Sequence, residues 1–143
     1  MTKTIIKAKR YHDFSYGHTV HEHESKCHNL HGHNGRVYFT ITAPGLDRLG
    51  RVMDFSVIKT KLCNWLEENW DHKFLVYEND ERAQGLKNIN VDGVVIVPFN
   101  PTAENMAEHL LNVVGPEQLE GTGCTLTEVE FYETRKCSAV ASL

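Results

Sequence analysis

The stretch His31-Gly32-His33-Asn34-Gly35-Arg36-Val37-Tyr38-Phe39-Thr40-Ile41-Thr42 joins a histidine pair to a strand. Val37, Phe39 and Ile41 alternate with Tyr38 and Thr40, the period-two pattern of a half-buried β-strand. His31 and His33 share the parity of the apolar residues. If the strand extends backwards, both imidazoles stand at its start and face the covered side of the sheet. Residues two apart on an extended chain lie roughly 6.5–7 Å apart on one side. Two imidazoles so placed can converge on one metal ion. Gly32 between them puts no side chain on the opposite face, and Pro44-Gly45 ends the strand.

Upstream, residues 4–14 read as another strand, with Ile6, Ala8, His12 and Phe14 on one parity. Downstream, Ile58, Leu62, Trp65 and Leu66 make the apolar stripe of a helix over about 56–69. Asp54 or Ser56 can cap its first turn. Residues 78–93 are polar and turn-rich and read as a long loop. Val94-Val95-Ile96-Val97 is a short strand stopped by Pro98. Asn100-Pro101-Thr102 opens a second helix carrying Ala103, Met106, Ala107, Leu110 and Val114 at helical spacing, and Gly115-Pro116 is expected to end it. A last strand covers about 125–134, with Thr127, Val129, Phe131 and Glu133 on one parity. The order predicts an α+β fold with helices packed on one face of the sheet. There are no repeats or low-complexity linkers, so residues 1–143 form one domain.

The chain has 143 residues, 41% apolar and 24% charged, ordinary values for a globular protein. A formal net charge of −4 and the lack of a basic run argue against a nucleic-acid partner. The apolar runs are only a few residues long, so no membrane span is expected. Met1-Thr2-Lys3-Thr4-Ile5-Ile6 lacks the apolar core of a signal peptide, and a cytoplasmic protein is the expectation. Cys27, Cys63, Cys124 and Cys137 form no C-x-x-C pair, and disulfides are not expected.

Seven of the nine histidines lie from His12 to His33. The third candidate ligand beside His31 and His33 is His18, in Phe14-Ser15-Tyr16-Gly17-His18. Three histidines with an open fourth position describe a catalytic zinc site; a fourth protein ligand would make it structural. Cys27, four residues before His31, either closes that site or reacts. Flanked by Lys26 and His28 near a cationic centre, it would favour the thiolate, able to act as general base or nucleophile. The competing role for a free cysteine is a small buried hydrophobe, and Cys63, inside the first helix, fits that role. A metallo-β-lactamase-like site would need Asp-His two residues past His33, where Asn34-Gly35-Arg36 stand instead. Asp71-His72, just past the first helix, either relays a proton near a thiol or simply ends the helix. Glu133 on the apolar parity of its strand needs a partner if buried. An aminopyrimidine edge with two adjacent N–H donors would satisfy it; so would water at the strand end.

Taken in order, Phe14-x-x-x-His18, Cys27-x-x-x-His31-Gly32-His33-Asn34, Met53-Asp54-Phe55, Asp71-His72-Lys73, Pro101-Thr102-x-Glu104-Asn105 and Glu133-Thr134 resemble the 6-pyruvoyl-tetrahydropterin synthase family. The resemblance runs from about residue 4 to residue 139. The Cys-x-x-x-His-Gly-His spacing is most similar to the bacterial 6-carboxy-5,6,7,8-tetrahydropterin branch. The resemblance implies a tunnelling fold: a four-stranded antiparallel sheet with two helices on one face, closed by trimers into a barrel, with two trimers commonly stacked. Closure would remove exposed sheet edges.

It also implies a zinc-dependent carbon–oxygen lyase of the queuosine and 7-deazaguanine pathway acting on 7,8-dihydroneopterin triphosphate. Zinc would be held by His18, His31 and His33. Cys27 would be the catalytic base, Asp71 and His72 its proton partners, Glu133 the pterin anchor with Thr102 nearby, and the pocket would lie between subunits. Lys26 and Arg36 are the basic candidates for the triphosphate. Alternatives are a pyruvoyl-type product on the same scaffold, or a non-catalytic zinc- or pterin-binding protein. The chain departs from the family pattern at Tyr16-Gly17, at Phe74, in the long 78–92 segment and in the Cys137–Ala141 tail.

Overall fold

The computed structural model describes residues 3–143. Strand β1 (Ala8–His18) pairs antiparallel with β2 (His31–Thr42), from Ala8 opposite Ile41 to His18 opposite His31. The backward extension of β2 through His33 and His31 is therefore present. β1 starts at Ala8 rather than at residue 4, because its partner runs out at Thr42, ahead of Pro44. The remaining elements are α1 (55–69), β3 (Lys73–Tyr77), α2 (Ala83–Ile89), β4 (Val94–Val97), α3 (103–118), β5 (Thr125–Thr134) and β6 (Cys137–Ser142).

The sheet has six strands in the order β4-β3-β1-β2-β5-β6. β1, β2, β5 and β6 form an antiparallel run, while β3 pairs parallel with β1 and β4 parallel with β3. In place of the expected four-stranded antiparallel sheet the chain has a mixed six-stranded one. β3 shows no period-two pattern because both its faces are covered, as in most parallel strands. β6 is largely exposed and poor in large apolar residues, so it leaves little trace in the sequence.

Helices α1 and α3 cover one face. Ile58, Leu62 and Leu66 from α1, with Met106, Leu110 and Val114 from α3, pack against Val37, Phe39, Ile41, Val129 and Phe131 of the sheet. Phe131 is fully buried, edge-on to Phe14 and Tyr16. Truncating such a phenylalanine to alanine costs about 3–5 kcal/mol. The expectation of helices on one face is corrected by α2, which lies within the segment read as loop. Its Ala83 and Leu86 pack with Phe74, Val76 and Val94 on the opposite face, where the parallel strands need a second cover.

Asp54 caps α1, its side chain accepting from Ser56 N at 2.9 Å. Thr102 caps α3, Oγ1 accepting from Asn105 N at 3.1 Å. Both helices contain a π-helical turn, Lys59–Cys63 and Leu110–Val114. α3 continues past Gly115-Pro116 to Gln118, against expectation. Pro116 follows directly on the π-turn, where the regular i→i−4 ladder is already interrupted. A Cβ at Gly115 would stand 2.7 Å from Leu126 Cδ2, so glycine here permits close helix–sheet packing rather than a stop. No helix among the described residues is long and apolar enough to cross a membrane.

Candidate metal centre and active site

The β1–β2 register builds the centre. His18 lies directly opposite His31, and His33 lies opposite Tyr16. All three imidazoles emerge on the face covered by the helices, with ring centroids 4.5 Å (His18–His31), 5.0 Å (His18–His33) and 4.9 Å (His31–His33) apart. One ligand nitrogen from each falls within 4.8 Å of the others.

Backbone carbonyls orient two of the rings. His18 Nδ1 lies 2.7 Å from Pro101 O, and His31 Nδ1 lies 2.7 Å from Asn29 O. A carbonyl can only accept, so each Nδ1 carries the proton and each Nε2 is left with a lone pair. His18 is fully buried, yet its Nε2 has no hydrogen-bond partner among the described residues, and neither has the buried Nε2 of His33. Buried polar atoms are rarely left so. Three imidazoles converging on one point, two of them with buried unpartnered Nε2 atoms, are the donor set of a divalent metal such as zinc. The residues fit the group.

Glu133 meets this centre from β5. Its Oε1 lies 3.3 Å from His18 Nε2 and 3.5 Å from His33 Nε2, neither approach having hydrogen-bond geometry. The inward parity read from the sequence is therefore correct, and the carboxylate finds histidines beside it. With a proton on its Nε2 in place of a metal, His18, with help from His33, would hold the Glu133 carboxyl below the usual range against the opposing effect of burial. Burial lowers the basicity of His33, which Glu133 partly offsets. Tyr16 packs edge-on to His18, and its buried hydroxyl has no partner among the described residues. Burial, then the Glu133 charge, pushes that phenol far up.

Asp71 and His72 do form a pair. His72 Nδ1 is 2.8 Å from Asp71 Oδ2, while Asp71 Oδ1 accepts from Ser15 N at 3.0 Å. Burial raises the Asp71 carboxyl, but the Ser15 amide and His72 together bring it below the ordinary value. His72 has a left-handed backbone (φ 59°), and its side chain is 80% exposed. Its backbone N–H donates to Ser15 O at 2.6 Å, tying the bend to β1. A cleft of about 710 Å³ brings His72 alongside His31, His33 and Phe74. A second cavity, about 830 Å³, is lined by Asp71, His72, Tyr132 and Arg135.

Cys27 sits half-buried in a short 3-10 turn, Lys26–His28, and does not belong to the histidine cluster. It lines neither of the cavities that His72 lines. A single chain therefore gathers the three histidines and Glu133 and pairs Asp71 with His72, while Cys27 lines neither of these cavities. The acceptor side of Thr102's hydroxyl is used by the helix cap, leaving its O–H to donate. Arg36, a triphosphate candidate, lines the cavity that Asp71 and His72 line. It lies on the face away from the histidines, bound through two nitrogens to Asp13 at 2.7 and 3.0 Å and stacked over Tyr11.

The carbonyls of Pro101 and Asn29 escaped the sequence reading, since a backbone acceptor has no side-chain signature. So did Asn100, which accepts from His21 N at 2.8 Å and donates to His21 O at 3.0 Å. Its position beside Pro101-Thr102 was the available signal.

Fold and cluster together define an α+β protein with an open three-histidine centre at one end of its sheet. The model of the 6-pyruvoyl tetrahydropterin synthase family matches residues 7–142, and the chain belongs to that family. It is 37% identical over 134 residues to the 6-carboxy-5,6,7,8-tetrahydropterin synthase of Rickettsia conorii, covering 93% of this chain and 97% of the relative. A crystal structure of an uncharacterized protein from Wolinella succinogenes superposes with a TM-score of 0.86 at 25% identity, covering 98% and 99% of the two chains. The 6-pyruvoyl tetrahydropterin synthase of Caenorhabditis elegans shares the fold, with a TM-score of 0.69 at 20% identity over 98% and 96% of the chains.

Proposed function

We infer that this protein converts 7,8-dihydroneopterin triphosphate and one water to 6-carboxy-5,6,7,8-tetrahydropterin, acetaldehyde and triphosphate, as a zinc-dependent carbon–oxygen lyase serving the cytoplasmic synthesis of 7-deazaguanines. The observation that carries this reading is the open cluster of His18, His31 and His33 in a chain so similar to a relative named for that product. The three histidines would hold zinc through their unpartnered nitrogens. When bound, the metal would polarise hydroxyls of the pterin side chain and make the adjacent C–H protons more acidic.

This chain's own residues supply the rest. Cys27 as thiolate takes a proton from the side chain. His72, fixed by Asp71 through Nδ1, returns a proton from its exposed Nε2. Glu133 accepts from the aminopyrimidine edge of the ring, close to the histidines, and the Thr102 hydroxyl donates to the same ligand. Lys26 meets the departing triphosphate.

That Cys27 lines neither cavity lined by His72 supports a site shared between subunits. So do the sheet's two edge strands, with Ile96 of β4 and Val140 of β6 exposed. We read the working unit as a homo-oligomer, a trimer closed into a barrel or two such trimers stacked. The test is incubation of the zinc-loaded protein with dihydroneopterin triphosphate, identifying products by mass. The 6-carboxy product with acetaldehyde supports the reading. A pyruvoyl product redirects it to the other branch, and no turnover with retained pterin binding makes the protein a binding module.

A further inference from the structure

The segment that carries Cys27 hangs between β1 and β2 and is held from outside at two points. Asn100 grips the backbone of His21, and Asn105 Nδ2 in turn holds Asn100 O at 2.9 Å. The second point is Arg82, from the 78–92 segment that the mechanism above does not use. Its Nη1 donates to His28 O at 2.8 Å, and its Nη2 donates to Thr19 Oγ1 at 2.8 Å. Thr19 Oγ1 itself donates to the same His28 carbonyl at 2.5 Å. Two donors therefore converge on the carbonyl of the residue directly after Cys27.

The guanidinium is itself oriented. Asp80 receives Arg82 Nε on Oδ1 at 3.0 Å and Nη2 on Oδ2 at 2.8 Å, a two-point pairing that fixes the plane of the group. The Asp80 side chain is 1% exposed, and Arg82 N also donates to its Oδ1 at 2.9 Å. A buried carboxylate is tolerated only with such pairing. His21 Nδ1 stands 3.8 Å away on its other side. Asp80, Arg82, Thr19 and the 3-10 turn thus form one connected unit ending at the thiol-bearing residue.

We propose that Arg82, oriented by Asp80, is a positioning residue for Cys27: it fixes the Lys26–His28 turn and with it the direction of the thiol. The inference rests on the reading of Cys27 as the catalytic base. Lysine could supply the charge but not the fork that spans His28 O, Thr19 Oγ1 and Asp80 together.

The test uses the full-length, zinc-loaded protein and four variants. Arg82→Gln alone leaves Asp80 buried without its partner and risks unfolding, so Asp80→Asn/Arg82→Gln is made beside it. Arg82→Lys probes rescue and Cys27→Ala the underlying reading. For the double variant we expect kcat lowered roughly 10–100-fold, the size of effect a displaced reacting group produces. KM should stay within about two-fold, since substrate contacts are untouched. Amide exchange should speed up at His28, Asn29 and Val20, whose hydrogen bonds close the turn, and not in the paired part of β1 and β2. Arg82→Lys should recover part of kcat. An unchanged kcat in the double variant, with Cys27→Ala inactive, overturns the inference and leaves the Cys27 reading standing. Faster exchange spread evenly over β1 and β2 also overturns it, as general destabilisation. Full turnover by Cys27→Ala overturns the reading underneath.

Discussion

Replacing Glu133 by glutamine separates two roles that its position allows. The carboxylate stands 3.3 Å and 3.5 Å from two of the histidine nitrogens proposed to face the metal, with its side chain 31% exposed. It can hold a ligand next to the metal, or it can reach the metal itself. Glutamine keeps the shape, removes the charge and exchanges one acceptor oxygen for a donor. If Glu133 accepts from a pterin edge, the variant loses a charge-assisted hydrogen bond contributing about 1.5–3 kcal/mol. That is roughly a ten- to hundred-fold weaker Kd. The three imidazoles are untouched, and their orienting carbonyls at Pro101 and Asn29 remain, so metal stoichiometry should hold at the wild-type value. The assay is a fluorescence titration with a non-reacting pterin and elemental analysis of the same preparation. Unchanged pterin affinity would refute the anchoring role. Loss of metal together with pterin binding would make Glu133 a fourth ligand and close the site.

His18→Ala should lose metal while the sheet persists, because His18 is the most buried of the three and its Nδ1 is fixed by Pro101 O; metal content and far-UV circular dichroism check this. Cys27→Ala should keep metal and melting temperature and lose most turnover, whereas a ligand role predicts metal loss and a packing role predicts a lower melting temperature. The Asp80 carboxyl is held below its ordinary 3.8, by Arg82 foremost and against burial. A lowered folded pKa means that its stabilisation is present above the unfolded value and lost as pH falls through the folded one. Asp80→Asn should therefore flatten the acid limb of a melting-temperature profile; an unchanged limb would show that Asp80 adds nothing to acid sensitivity. In solution scattering the protein should be a trimer or a multiple of one, and a fully active monomer would sink the shared-site reading.

What was legible in the fold depended on how each element is covered. β2 has helices on one side only, so Val37, Phe39 and Ile41 alternate and announce it. β3 has α1 and α3 on one side and α2 on the other, so Phe74-Leu75-Val76-Tyr77 is a short apolar run without a period. Its partner β4 was visible only because Pro98 cuts it cleanly. α2 carries Gly85 and Asn88 in seven residues, a poor helix by intrinsic preference; tertiary contact through Ala83 and Leu86 holds it. Gly115-Pro116 misled for the opposite reason. A dipeptide that ends most helices is tolerated here because a π-turn precedes it.

The three-histidine cluster was legible because it is made of side chains at fixed spacing on one strand, plus one residue across the register. What orients those side chains was not. His18 depends on the carbonyl of Pro101, 83 positions away, and a carbonyl is the same at every residue. The Cys27 turn depends on Arg82, which no local pattern marks out among the chain's other cations. Only the fold reveals that this arginine, 54 positions from His28, meets it over a buried aspartate. Reacting groups are selected for their chemistry and so are visible as residue types. Groups that aim them are selected for place, and place is set by contacts distant in sequence. The 78–92 segment makes the point physically. It reads as polar loop although Asp80 is buried and Arg82, paired to it, is turned inward onto the turn beside Cys27. Beside the small apolar contact of Ala83 and Leu86, a buried ion pair adds no hydrophobic signature by which the segment could be read as packed.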